Sequence, residues 1–114
     1  MLKRFSKNQR LLTKAEFQSV FDQAKKINQR YLLLLFKKNT QPSSRLGIIV
    51  SKRVAKKAVT RNRIKRTIRE SFRQWQQKIT GFDIIIIARQ QCDVQDNKKL
   101  REGLDLLWQK LIAS

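Results

Sequence analysis

The chain has 114 residues, with 27 Lys and Arg against 8 Asp and Glu, for a formal charge of +19. That suits one domain with a polyanionic partner, and 40% hydrophobic residues argue for a packed core rather than wholesale disorder. A lone cysteine, Cys92, excludes an internal disulfide and a cysteine metal cluster, and the absence of His removes the commonest metal ligand and neutral-pH proton shuttle.

Residues 1–11 (MLKRFSKNQRL) are basic and aperiodic, and read as an extended arm that orders on binding. No apolar h-region follows, so no signal peptide is expected. Thr13 with Glu16 three residues later forms a capping-box pattern that starts a helix, and Leu12 with Phe17 completes a hydrophobic staple. Phe17, Val20, Phe21 and Ala24 share one helix face. The two phenylalanines are either core residues or an aromatic platform for unpaired bases. The sequence alone leaves both open.

Tyr31–Phe36 (YLLLLF) is a strand covered on both faces, and Lys26–Gln29 leaves room for an added short strand. Residues 39–44 (NTQPSS) hold the only proline and form a turn, and Arg45–Ser51 (RLGIIVS) is a second firm strand. Two strands joined by so short a polar loop predict a hairpin of antiparallel neighbours.

The stretch Lys52–Arg73 carries ten cations (Lys52, Arg53, Lys56, Lys57, Arg61, Arg63, Lys65, Arg66, Arg69, Arg73) and one acid, Glu70. From Ile64 an apolar residue returns at helical spacing: Ile68, Phe72, Trp75, Ile79. These five span about 80° of the helix circumference. Asn62, Arg66, Arg69 and Arg73 fall on the far side, flanked by Arg63 and Lys65. A solvated helix would interleave acids at i+4. This one does not, and its arginines suit bidentate phosphate contact and stacking on bases, so a phosphate backbone is the expected partner.

Gly81, able to take a left-handed conformation, closes the helix. Phe82–Ala88 (FDIIIIA) is a third firm strand, interior to the sheet, and the strand–helix–strand order predicts a parallel pair joined by a crossover carrying the basic helix. Gln90–Asp96 is a polar connection. Leu100, Leu104, Leu107 and Leu111, beside Trp108, form a last amphipathic helix, in which Gly103 marks close packing. The whole is a single α+β sandwich: a mixed, mostly antiparallel sheet of about four strands with three helices, in the order αβββαβα. Neither apolar run is long enough for a membrane span.

No catalytic constellation stands out. The eight acids are scattered, which disfavours a two-metal carboxylate cluster. Asp83, opening a buried strand, is the least easily dismissed of them. Catalytic and metal-binding residues are therefore expected to be absent, with any chemistry done by the partner.

The run Lys57-Ala58-Val59-Thr60-Arg61-Asn62-Arg63-Ile64-Lys65-Arg66, continuing to Arg69-Glu70, closely resembles the RNR signature of the bacterial ribonuclease P protein family. Leu46–Lys52 resembles the strand before that signature, Phe17–Phe21 the family's first-helix pattern, and Phe82–Arg89 its last strand. The resemblance covers nearly the whole chain. Ala24 departs from it, standing where the family often has glycine.

The resemblance implies a small basic subunit, a single RNA-binding domain over 1–114, that joins one large catalytic RNA. The holoenzyme, an endoribonuclease, removes the 5′ leader of precursor tRNA, and the RNA subunit holds the catalytic Mg2+. Arg61, Asn62, Arg63, Lys65, Arg66 and Arg69 would contact the RNA subunit, with Lys52, Arg53, Lys56, Lys57 and Arg73 extending that face. Phe17 and Phe21 would wall a cleft for the leader. The partners implied are the RNA subunit and precursor tRNA, with no membrane and no obligate protein partner, in the cytoplasm. The rival from another class is a ribosomal or other structural RNA-binding protein with no role in cleavage. A major-groove DNA-binding module is a weaker one, since no helix-turn-helix pattern or dimerisation signal is present.

Overall fold

The structure is a computed structural model that describes residues 10, 11 and 13–114. The elements run α1 (Lys14–Gln23), β1 (Lys25–Asn28), β2 (Leu32–Lys38), β3 (Arg45–Ile49), α2 (Ala58–Trp75), β4 (Phe82–Ala88) and α3 (Asn97–Ile112). The predicted class and order are those observed, and the added strand is β1. Residues 1–9 of the basic arm predicted over 1–11, and the Leu12 half of the staple, lie outside the described residues.

Local chemistry explains the helix ends. The Glu16 N–H donates to Thr13 Oγ1 (3.1 Å) and the Thr13 N–H to Glu16 Oε1 (2.8 Å), so the capping box forms in full. Ala24 ends α1 in extended backbone (φ −73, ψ 143), a conformation that requires no glycine. Gly81 takes φ +79 at the turn into β4, where a side chain would be strained. Asp96 caps α3, accepting from the Lys99 N–H at 2.8 Å.

The sheet order is β1-β2-β4-β3, antiparallel except for the parallel pair β3–β4. The expected hairpin between the second and third strands is therefore wrong. β4, with Ile84–Ile87, separates them, and the real hairpin is β1–β2, with Lys25 opposite Phe36 and Asn28 opposite Leu33. The physical reason is that the two most apolar strands, β2 and β4, take the two positions paired on both edges, which leaves β3 at the rim. The loop over 39–44 then passes the start of β4 and fastens it. The Asn39 N–H donates to the Gly81 carbonyl (2.8 Å) and the Phe82 N–H to Ser44 Oγ (3.1 Å).

Strand alternation divides the core. Leu32, Leu34, Phe36, Leu46, Ile84 and Ile86 face α2 and α3, where they meet Ile64, Ile68, Phe72, Leu100, Leu104, Leu107, Trp108 and Leu111, all buried. Trp108 Nε1 donates to Ser71 Oγ at 2.8 Å, satisfying the indole inside the helix pair. On the other face Leu35 and Ile85 meet Val20 and Leu11, with Phe17, Leu33, Ile49 and Ile87 half-buried around them. Gly103 lets α3 approach the β1–β2 turn, since a Cβ there would lie 2.9 Å from the Gln29 side chain.

Candidate nucleic-acid interface

The basic stretch is a loop followed by a helix. Lys52, Arg53, Lys56 and Lys57 are exposed in the loop. Lys57 is the N-cap of α2 but makes no side-chain cap bond, and the first turn has no acid. The positive end of the helix therefore adds to the cationic field instead of being neutralised. Ile64, Ile68 and Phe72 are buried, so the opposite face of α2 must turn outward. Asn62, Arg66 and Arg69 are exposed, and Lys65 and Arg73 are half-exposed. Among the described residues, no cation of α2 pairs with a carboxylate.

Two arginines of the signature do something else. Arg61 Nη1 donates to the carbonyls of Ala55 (2.9 Å) and Lys56 (2.8 Å), folding the basic loop back onto the helix. Arg63 donates to Asn97 Oδ1 (2.8 Å) and to the Asp93 carbonyl (3.0 Å), tying α2 to a 3-10 turn at Cys92–Val94 and to the start of α3. Both shape the basic face, while Asn62, Arg66 and Arg69 present their polar groups to solvent. A cleft of about 470 Å3 separates the loop from the 3-10 turn, lined in part by Arg53, Lys56, Lys57, Gln91 and Asp93.

A second cleft, of about 240 Å3, opens beside β3. Phe17, Leu11 and Arg10 line it from one side, Lys65 and Arg69 from the other, and Leu46, Gly47 and Ile48 lie between. The structure thus brings Lys65 and Arg69 to Phe17, which sequence reasoning had placed on separate surfaces. Phe21, one turn further along α1, is 44% exposed and does not line this cleft. Sequence reasoning missed Gly47. The available signal was an isolated glycine inside a firm strand pattern, which marks a close approach.

α1 is held over the sheet by an ion chain. Arg45 reaches Asp83 through Nε (2.9 Å) and Nη2 (2.7 Å), and Glu16 through Nη1 (2.5 Å). Asn39 Nδ2 adds a bond to Asp83 Oδ1 at 2.8 Å. Burial pushes the Asp83 carboxyl up, but the hydrogen bonds from Arg45 and Asn39, with the Arg45 and Lys37 charges, outweigh it and hold the group below the usual carboxylate range. The Asp83 bonds hold the Arg45 guanidinium above its ordinary value, against the cost of burial. Asp83 is thereby occupied as a structural anchor. Burial pushes the Cys92 thiol up to about 11, against the lowering influence of Arg63, so it stays protonated and unreactive near neutrality. Among the described residues, no three His, Cys, Asp or Glu side chains gather as a metal site, and no helix is long and apolar enough to cross a membrane.

Known proteins with this sequence pattern and fold point one way. The family model described as Ribonuclease P matches residues 5–112. The ribonuclease P protein component of Idiomarina loihiensis is 47% identical over 108 residues, covering 94% of this chain and 86% of the relative. That of Pseudomonas aeruginosa is 40% identical over 111 residues, covering 96% and 82%. Among solved structures, the RNase P protein of Staphylococcus aureus superposes with a TM-score of 0.85 at 32% identity, covering 90% of this chain and 94% of that one. That of Thermotoga maritima gives 0.80 at 36% identity, covering 89% and 96%.

Proposed function

The chain belongs to the ribonuclease P protein family, and from that premise we propose how its surface is divided between two RNAs. It is the protein subunit of ribonuclease P, associating with that enzyme's RNA in tRNA 5′ processing. Membership sets aside a ribosomal protein or a DNA-binding module.

The basic loop and outer face of α2 dock the RNA subunit: Lys52, Arg53, Lys56, Lys57, Asn62, Arg66 and Arg73, and Arg69 at the border with the cleft, with Arg61 and Arg63 holding that face in shape. The cleft beside β3 takes the single-stranded 5′ leader of precursor tRNA. There Phe17 offers a ring to an unpaired base, and Lys65 and Arg69 meet the backbone phosphates. Stacking plus charge tracks a strand without demanding a sequence. Phe21, exposed one turn on, extends the aromatic rim.

The observation that supports this division is the meeting of Phe17 with Lys65 and Arg69 in one cleft. An aromatic ring facing two cations across a cleft, at the border of a larger basic face, suits a strand leaving a docked RNA. In this reading the RNA subunit, with its own Mg2+, breaks the phosphodiester bond, and the protein holds substrate. Holding the leader raises affinity for precursor over mature tRNA. Neutralising phosphates lowers the magnesium the RNA needs. We place the work in the cytoplasm and assign no obligate protein partner.

The experiment is a comparison of precursor and mature tRNA binding to the RNA subunit, with and without the protein. A preference for precursor that appears only with the protein supports the leader cleft. Equal affinities in both cases would remove it.

A further inference from the structure

We propose that Gly47 is a positioning residue: its missing side chain is the seat on which the Phe17 ring lies, and that seat sets the ring's height in the cleft. The proposal rests on the leader reading above and names what orients its aromatic contact.

Alternation along β3 turns Arg45, Gly47 and Ile49 toward α1. Arg45 grips Glu16, the residue before Phe17, so the start of α1 is fixed in height above the sheet. Ile49 packs into the small core on that side. Between them Gly47 offers bare backbone, and the Phe17 ring occupies the space. A Cβ built on Gly47 would fall 2.6 Å from Phe17 Cζ and 2.7 Å from Cε1, with Leu11 Cβ also near at 3.3 Å. The two Phe17 separations are too short for carbon atoms, so a side chain at 47 must displace something. The nearest atoms are the far end of a side chain that can rotate, whereas the backbone of α1 is tied by its capping box and by Arg45. The ring therefore moves and the helix stays. A displaced ring enters the volume where a base would stack, and productive contact demands placement to within about half an ångström.

The test uses holoenzyme reconstituted with the RNA subunit and reads the ratio of precursor to mature tRNA affinity. Gly47→Ala is expected to lower that ratio about fivefold, within the range a disturbed base–aromatic stack covers, while affinity for mature tRNA is unchanged. In a Phe17→Ala background the same change is expected to do nothing further, because the ring it displaces is gone. A folded Gly47→Ala protein that keeps the full ratio, where Phe17→Ala loses it, overturns the seat and leaves the leader reading standing. Equal losses from Gly47→Ala with and without the Phe17 ring also overturn it. A Phe17→Ala holoenzyme with an undiminished ratio removes the leader reading, and the seat with it. Should Gly47→Ala fail to fold, Gly47→Ala combined with Phe17→Leu returns room to the site and is compared with Phe17→Leu alone. An unchanged ratio supports the proposal, and a further loss overturns it.

Discussion

The two faces of the sheet are built to different standards. One lies under two long helices and is sealed: Trp108, Phe72, Ile64, Ile68, Ile84 and Ile86 are fully buried. Among the described residues, the other is covered by the ten-residue α1, with a half-buried row of Leu33, Ile87 and Ile49 and an open cleft beside Phe17. The sealed face carries stability. The thin face is steadied by an ion chain and keeps aromatic and apolar groups within reach of solvent, as the proposed leader cleft requires. Binding surfaces and stable cores compete for the same apolar residues, and on the proposed leader reading the sheet separates them.

That contrast can be broken most forcefully at Trp108. Trp108→Ala should cost about 4 kcal/mol in denaturant unfolding, through cavity formation and the orphaned Ser71 hydroxyl. Phe17→Ala should cost about 1 kcal/mol or less, since its ring is only half-buried. Equal costs would show that the two faces share one stability role.

Salt tests the basic surface next. With about six phosphates engaged, log K for the RNA subunit should fall against log salt with a slope of roughly −4 to −5. Arg66→Glu should weaken this docking and spare the preference for precursor tRNA, while Arg69→Glu, which enters the Phe17 cleft, should lower both. A slope near zero would make the basic face decorative.

The ion chain sharpens the thin face. Asp83→Asn should destabilise the protein by roughly 3 kcal/mol, because it leaves Arg45 without its buried partner. Acid should act the same way. The folded Asp83 carboxyl titrates below its unfolded value near 4. Its contribution is therefore complete above that value and is lost as pH falls through the lower, folded one. In Asp83→Asn that acid limb should flatten; an unchanged limb in unfolding titrations would assign it to other carboxylates.

The smallest effect concerns self-repulsion. At a formal +19, sulfate bound to the native state should raise the melting temperature at fixed ionic strength. An unresponsive melting curve would count against an anion-seeking surface.

Much of this was legible in the residues, and what escaped has a physical explanation. The helix at 58–75 and the leucine stripe of α3 declare themselves because burial repeats along one element. The β2–β3 pairing was misjudged because loop length is local, whereas the claim of four isoleucines on the sheet's centre concerns every other strand. Arg61 and Arg63 look in sequence like their neighbours in the signature. Only the placement of the Ala55 carbonyl and of Asn97 shows that they are bound internally. Phe17 could be named as a cleft residue, but its seat at Gly47 joins residues thirty apart and has no periodic trace.

The strand order has one more consequence. Segments such as LLLLF and IIII are the kind that stack into cross-β fibrils when their edges are open. Here both are interior, each hydrogen-bonded on two sides. The rims go to less sticky material: β1 exposes Lys25 and Lys26, and beside β3 the chain at Arg10 bridges Leu46, with the Leu11 N–H donating to its carbonyl. Lysine on one rim and a bridged neighbour on the other discourage sheet-to-sheet association, so a protein concentrated around RNA is shielded from aggregating through its greasiest strands.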